Sequence, residues 1–530
     1  MLCLSDRRKW YIGFSIFILI IIGILALWHS LTAIVIFIVF LALVALYDVI
    51  QKKHTLLRNF PILGHMRFIL EFFRPEIQQY FVASDNSERP FDRETRTLIY
   101  ERAKGIEDTL PFGTERDITR PGYEWVLHSL SPVHPDEVDP RVIIGNKSCQ
   151  KPYSASCLNI SAMSFGALSK NAIIALNLAA KRGNFCHNTG EGGLSEFHRQ
   201  GGDLTLQIGT GYFGFRTKDG KFCPQKFAEQ AALDAVKMIE IKLSQGAKPA
   251  HGGVLPKEKL TPEIAKIRGV PLGEDVLSPP AHSTFDTPEG LCHFIDKLRT
   301  LSKGKPIGFK LCIGRKTEFF ALCKAMIKTR IYPDFITVDG AEGGTGAAPQ
   351  EYVNYIGMPL EDAIAFVHNA LIGSGIRQHI KIIASGKTAN GFDMVKRIAL
   401  GADLINSARA MMLSLGCIQS KQCNRNTCPT GVATQNPRLY RALNIDDKKM
   451  RVYRFHQATI KSFTEIIGAM GLKSPGELSA SRVIRRIDEQ NIRSLSEVYH
   501  YLQPSCLLNA DDTVPEGLKK CWQQAQAEKF

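Results

Sequence analysis

Acidic residues are in deficit: 51 Asp and Glu stand against 66 Lys and Arg, a formal charge of +15 over 530 residues. No zinc finger, RNP aromatic motif or basic helix accompanies that excess, so nucleic-acid binding is not expected. Two uses of the charge stay open: a surface beside anionic lipid, and a docking face for an acidic electron carrier. Regular cysteine spacing is lacking too. The 13 cysteines are odd in number and scattered, which excludes a secreted disulfide framework and fits reduced thiols in a cytosolic domain. No internal repeat or low-complexity tract appears, so no array of repeats is expected. What remains is an ordinary globular balance, 45% hydrophobic and 22% charged. The length suits two to four domains, or one large barrel with extensions.

Charge is also missing from Trp10 to Tyr47, where His29 is the one acidic or basic side chain. As a single helix that run would be about 57 Å long, against ~30 Å of hydrocarbon core. Two transmembrane spans, Trp10–Trp28 and Leu31–Tyr47, fit better, and residues 1–54 are read as a membrane hairpin. No Ala-x-Ala-like site closes the run, which argues against a cleaved signal peptide. Arg7, Arg8 and Lys9 precede the pair and Lys52, Lys53 and Arg58 follow it. Both ends are therefore expected in the cytoplasm, with the rest of the chain facing it from the inner membrane. Residues 55–150 form a bridging region, in which Phe60–Phe81 is amphipathic and suited to the membrane surface.

From about 151 to 440 the pattern alternates. Short β-type runs end in glycine and helix-period segments follow, as in CLNISAMSFGALS then KNAIIALNLAAKRG, or DFITVDGAEGGTG then PLEDAIAFVHNALIG. Repeated units of this kind mean a parallel sheet. At least six of them in this length suit a (β/α)8 TIM barrel, with its active face on the loops after the strands; a doubly wound sheet is the alternative. Gly209-Thr-Gly211-Tyr-Phe-Gly214 is formally a dinucleotide fingerprint. FRTKDGKFCP follows it and reads as a hairpin, so the helix that motif requires is missing.

Two consecutive turns near the end of this region carry a cofactor signal. Ser385-Gly386-Lys387-Thr388 with Gly391 closes one strand, and Ser407-Ala408-Arg409 closes the next. Bare glycine amides and a guanidinium make a phosphate cradle. Each turn taken alone is an ordinary tight turn; together they suggest a flavin phosphate. Eight residues beyond Arg409 come Cys417, Cys423 and Cys428, the last followed by Pro429. Soft thiolates select zinc, copper or iron–sulfur, and three of them are one short of a structural zinc site.

Several motifs now carry a resemblance. They are Ser161-Ala-Met-Ser-Phe-Gly-Ala-Leu-Ser169, Asn188-Thr-Gly-Glu-Gly-Gly193, Gln245-Gly-Ala-Lys-Pro249, Gly343-Gly-Thr-Gly-Ala347, and the cysteines with Gly431-Val-Ala-Thr-Gln435. In that order they resemble the FMN-binding synthase domain of glutamate synthase, and the whole chain is similar to a membrane-anchored branch of the glutamate synthase-related family. The resemblance implies a [3Fe-4S] cluster on Cys417, Cys423 and Cys428. It implies FMN near Met163, Ser164, Gln207, Lys310, Gly386, Lys387, Gly391, Ser407, Ala408 and Arg409. Lys248 would meet the carboxylate or reacting carbonyl of 2-oxoglutarate, and Glu191 would gate or deprotonate ammonium. The implied reaction is reductive amination to L-glutamate: ammonia and 2-oxoglutarate give the imine, and flavin hydride reduces its C2. Electrons would enter through the cluster from a donor such as ferredoxin or a reductase subunit.

Plainer readings stand beside these. Lys248 reads equally as a surface lysine before a proline turn, Glu191 as a helix cap, and Lys310 as the partner of a buried carboxylate such as Asp339. The family's glutaminase domain is not seen, so ammonia is expected free or from another subunit. His251 stands where the large enzymes are expected to carry Glu, and Lys387 replaces a glycine. An alkylamine or another 2-oxo acid therefore stays open as substrate, as does an electron-transfer flavoprotein without amination. Residues 441–530 read as a helical extension, with Met450–Met470 a helix stopped at Gly471 and Arg482, Arg485 and Arg486 in a solvated cap.

Overall fold

Apolar strand runs without polar alternation need burial on both faces, which a parallel barrel wrapped by helices supplies. The computed structural model, which describes residues 31–106, 108–509 and 511–530, has that architecture. Eight strands close in chain order: β1 Leu158–Ile160, β2 His187–Asn188, β3 Leu204–Ile208, β4 Val236–Lys242, β5 Ile307–Leu311, β6 Phe335–Asp339, β7 Lys381–Ser385 and β8 Leu404–Ser407. Every pair is parallel, and β8 returns to β1 with Ile405 opposite Leu158. The TIM barrel is thus the fold, and the doubly wound alternative is excluded by closure.

Helices follow most strands, each started by a local signal. Ser169 accepts from the Ala172 amide to open Lys170–Gly183 after β1, and Asn184 ends it in the left-handed region. Thr287 caps Pro288–Leu301 after β4, and Asn390 caps Gly391–Ala399 after β7. Between β2 and β3 there is only a short 3-10 turn, Glu196–His198. After β3, Gly209–Gly214 leads into a turn pinned by an antiparallel bridge from Arg216 to Phe222. A helix starts only at Pro224, so the fingerprint is the decoy its context suggested.

The N-terminal end of the barrel is plugged by a hairpin, Arg141–Ile144 paired with Tyr153–Ser156. Its Ile144, Tyr153 and Ala155 pack on Met238, Phe335, Ile383 and Leu404 from four strands. One end is therefore sealed by apolar side chains, and chemistry is left to the other.

Residues 441–530 are not purely helical. Helix Ile445–Ala469 packs along Lys170–Gly183 and Gly391–Ala399. Beyond it, Val483–Arg486 is the middle strand of a small antiparallel sheet with Glu124–Val126 and Ile492–Ser494. The reading of Arg485 as solvated is corrected: it donates to Glu124 at 2.8 Å and to Glu361 at 2.8 Å. Lys396 pairs with the same two carboxylates. A basic run in the sequence showed the charges but not the acids 124 residues or more away that pair with them.

The chain divides into two units, Met1–Arg93 and Glu94–Phe530. In the first, helix Leu31–Ile50 carries Asp48 in its last turn, whose buried carboxylate accepts from the Ile62 amide and meets His65 Nε2, both at 3.0 Å. Among the described residues no helix is long and apolar enough to cross a membrane. The uncharged run described on this helix before Asp48 is Ile34 to Tyr47, about 21 Å at helical rise. The first expected span, Trp10–Trp28, lies outside the described residues. Helix Leu63–Ile77 exposes Phe68, Phe72 and Phe73.

Gly391 shows how tightly the layers meet. A Cβ there would lie 2.7 Å from the backbone nitrogen of Phe463 in helix Ile445–Ala469. Backbone cannot yield as a side chain would, so Gly391→Ala should destabilise by about 1–3 kcal/mol. A lower urea midpoint at unchanged slope checks this; an unmoved midpoint would show that the helices can part.

Candidate active site

Successive strand residues point to opposite faces, so Met238, Glu240 and Lys242 of β4 share the barrel interior. Met238 belongs to the apolar plug. Glu240, 1% exposed, accepts from Asn188 at 2.8 Å, Gln207 at 2.6 Å and Thr337 at 2.6 Å. Lys242 ends the strand at the open mouth. Its ammonium donates to Glu191 at 2.6 Å and to Gln245 at 2.7 Å. Neither Glu240 nor Lys242 was singled out from the sequence. The available signal was two charges two residues apart inside an apolar strand run, VKMIEIK.

Glu191 is therefore no helix cap. Burial pushes its carboxyl up, but Lys242, then Arg268 and Lys248, outweigh that and hold it below its ordinary value. It is an anion at neutral pH. Lys248 is no surface lysine either, being 2% exposed and donating to the Ala347 carbonyl at 2.6 Å. Burial, then repulsion from Lys242, lowers it to about 8, with Glu191 opposing. Glu191, Lys242, Gln245 and Lys248 line one narrow cleft of about 10 Å³, room for a single water-sized molecule. His282 steadies the same wall: its Nε2 meets the Lys242 carbonyl at 2.9 Å and its Nδ1 meets the Tyr212 hydroxyl at 3.1 Å.

Lys310 pairs with Asp339 at 3.3 Å, the plainer of its two readings. Burial pushes the lysine down, but Asp339 and Glu240 outweigh it, so it stays charged. Asp339 also accepts from the Gly246 amide at 2.8 Å, which fastens the loop after β4 to β6. Gln207 is engaged by Glu240. Met163 and Ser164 lie just beyond β1, where Arg268 reaches the Ser164 hydroxyl at 3.4 Å. Gly190 crosses that segment so closely that a Cβ would lie 2.7 Å from the Ser164 nitrogen.

The two phosphate-type turns are tied together. Ser407 donates to the Thr388 carbonyl at 2.8 Å, and Arg397 reaches the Thr388 hydroxyl at 2.9 Å. Gly386 and Lys387 both adopt positive φ, +149° and +27°, the kind of turn from which anion-binding concavities are built. Arg409 lies across Gly344, where a Cβ would meet its Cδ at 2.7 Å, and donates to the Glu342 carbonyl. Glycine turns with a buried guanidinium near them are a donor set that fits a flavin phosphate. Gly391 has its own reason to be glycine in the helix contact above.

Cys417, Cys423 and Cys428 sit on one loop that takes positive φ at Gln419, Lys421 and Asn426. Among the described residues no group of His, Cys, Asp or Glu stands close enough to hold a single metal ion. Three cysteine thiolates are the kind of donor an iron–sulfur cluster takes. The donor set suits it: the Gln419 amide points at Cys417 Sγ at 3.5 Å, and the Thr430 hydroxyl is 3.5 Å from Cys428 Sγ. Outside ties hold the loop, from Tyr100 to the Cys417 carbonyl at 2.7 Å and from Lys259 to the Cys423 carbonyl at 3.2 Å.

Residues 125–473 match the conserved region in glutamate synthase. The glutamate synthase large subunit-like protein YerD of Bacillus subtilis (strain 168) is 35% identical over 526 residues, covering 91% of this chain and 99% of that protein. An archaeal-type glutamate synthase [NADPH] of Thermotoga sp. (strain RQ2) is 35% identical over 328 residues, 62% of this chain. The match spans 61% of that synthase's length. Among solved structures, mandelate oxidase with benzoyl-formic acid is similar at a TM-score of 0.42 and 15% identity, covering 75% of this chain and 98% of that one.

Removing one member of a buried ion pair strands the other. Lys242→Met should therefore destabilise by about 3–5 kcal/mol at pH 7, and Lys242→Met/Glu191→Leu should recover much of it. The Glu191 pKa is depressed in the fold. Its contribution is thus full above the ordinary value of 4.5 and is lost as pH falls through the lowered folded value. Unfolding curves of the variants at neutral and acid pH read both effects. A single variant as stable as wild type at pH 7 would mean that the pair contributes nothing.

Proposed function

The chain belongs to the glutamate synthase family, and on that premise we propose that it is an FMN- and [3Fe-4S]-dependent oxidoreductase making L-glutamate from 2-oxoglutarate and ammonia. One observation carries the reading: Glu191, Lys242 and Lys248 enclose an ammonia-sized cleft at the mouth of the barrel, beside the buried Lys310–Asp339 pair. Gly386, Ser407 and Arg409 would hold FMN, which would supply hydride chemistry, and Cys417, Cys423 and Cys428 would hold the cluster, which would supply electrons one at a time.

The protein's own groups divide the remaining work. Glu191 is a carboxylate held in place by Lys242, suited to attract an ammonium ion rather than to take its proton. Lys242 and Lys248 supply positive charge for a dicarboxylate in a poorly solvated mouth. Lys248, near 8, is poised to give a proton to the carbonyl oxygen as ammonia adds, and so to help water leave as the imine forms. This sharpens the assignment of Glu191 as a base: its lowered pKa suits it to gating ammonium, and Lys248 is the better proton carrier.

An alkylamine is a second reading with an observation behind it. His251 lies edge to face with Tyr352, ring centroids 5.1 Å apart, next to Ala250 and Gly252 of the cleft wall. In that reading the rings would flank the alkyl group.

The membrane hairpin and the cytoplasmic orientation at the inner membrane are part of the proposal. Their support is the apolar run from Trp10 to Tyr47 between basic flanks, with Ile36, Phe37 and Phe40 exposed on its described part. A ferredoxin-like carrier or a reductase subunit is the proposed donor. Full-length protein should stay with the membrane through an alkaline carbonate wash; release into the supernatant overturns the anchor and leaves the chemistry untouched.

The chemistry is tested on purified protein that has been chemically reduced. Ammonia with 2-oxoglutarate should reoxidise the flavin and yield glutamate. A spectrum without flavin would sink the cofactor assignment, and reoxidation by methylamine but not by ammonia would move the answer to the second reading. Lys248→Met should lower kcat/KM for the oxo acid about 100-fold or more. In the wild type, turnover at fixed free ammonia should fall as pH rises through about 8, because Lys248 loses its proton there.

A further inference from the structure

Lys259 takes no part in the chemistry just described, yet it is one of the least exposed charged side chains in the protein, at 2%. It closes a short turn, Lys257–Lys259, before helix Pro262–Arg268. Its ammonium donates to three backbone carbonyls: Ala167 at 2.8 Å, Ala433 at 3.1 Å and Cys423 at 3.2 Å. The ionisable groups facing it are the Cys423 and Cys428 thiols, and the facing cation is Arg268. A buried cation balanced by carbonyl dipoles alone is an unfavourable arrangement. An iron–sulfur centre on thiolates would bring the anionic charge that this pocket lacks.

The three carbonyls belong to two segments that meet around Lys259. Ala167 lies in the loop after β1, a few residues beyond Met163 and Ser164. Cys423 and Ala433 lie in the cysteine segment. Other bonds run between the same two segments. Gln435 donates to the Gly166 and Leu168 carbonyls at 3.0 and 2.8 Å, and the Ser169 amide donates to the Val432 carbonyl at 2.9 Å. The lysine thus joins the cysteine loop to the flavin side of the barrel mouth from within, where water does not screen its charge.

We propose that Lys259 is a positioning residue of the iron–sulfur centre: it fixes Cys423 against the loop after β1, and its buried charge raises the reduction potential of the centre. The inference rests on the assignment of Cys417, Cys423 and Cys428 as cluster ligands. Its physical content is that a fixed cation favours the form of the centre carrying one more electron.

The test is an EPR-monitored redox titration of the full-length holoprotein, with cluster content measured as iron and acid-labile sulfide. Lys259→Met should favour the oxidised centre about tenfold, a fall in midpoint potential of ~59 mV for one electron. Lys259→Arg, which keeps the charge, should stay near the wild-type value. A Lys259→Met centre that titrates with the wild type overturns the proposal. If Lys259→Met folds but holds no cluster, Lys259→Gln and Lys259→Arg decide. A cluster retained by Arg alone supports the role of charge, and a cluster lost in all three, or kept at the wild-type potential in Gln, overturns it. Wild-type protein with flavin but no iron–sulfur signal would instead sink the cluster assignment, a failure distinct from that of Lys259.

Discussion

A carboxylate in the middle of a closed barrel organises this protein. Glu240 is shut away from water, and charge there is tolerable only if donors surround it. Asn188, Gln207 and Thr337 supply them from β2, β3 and β6. Hydrogen bonds to a charged group contribute about 1.5–3 kcal/mol each, and those from Asn188 and Thr337 also tie β4 to strands that are not its neighbours in chain order. The same negative charge helps keep Lys310 protonated beside Asp339. Fold and site therefore share one electrostatic centre, with an apolar plug on one side of it and cations on the other.

Above that layer the mouth is built from loops fastened to one another rather than from rigid elements. Asp339 holds the Gly246 amide, and the contact is so close that a Cβ on Gly246 would lie 1.7 Å from the Gly340 carbonyl. Ser407 holds the turn after β7, and Gln435 holds the loop after β1. Several glycines of the motifs recognised in the sequence mark such crossings, Gly190, Gly246 and Gly431 among them. The glycines recur there because backbone passes backbone and leaves no room for a Cβ.

Much of this was legible in the sequence. Strand-then-glycine units announced the barrel because their apolar runs had no polar face, and Lys310 with Asp339 was readable because both close such runs. Glu191 and Lys248 were found through motifs, but their partners were not. Lys242 lies 51 residues from Glu191, and only barrel closure brings the two together. Arg485 misled for the same reason: a basic run looks solvated until distant carboxylates arrive. Lys259 was invisible, since KEK before a helix reads as surface, and its burial depends on the packing of the cysteine loop. Local signals report backbone demands, while charge pairing across the barrel is a property of the closed fold.

That distinction decides how acid and base roles are divided. Glu191 and Lys248 share one cleft, and a naive reading makes the carboxylate the base and the lysine a permanent cation. Lys242 reverses this. Its ammonium stabilises the Glu191 anion and so weakens it as a base, and its repulsion adds to burial in bringing Lys248 down to about 8. One unremarked lysine thereby moves the titrating group from the carboxylate to the second lysine. Environments that separate the protonation behaviour of neighbouring groups are how a site comes to work near neutral pH. Here the separation follows from the alternation of a single strand, which carries Glu240 and Lys242 on the same face, one layer apart.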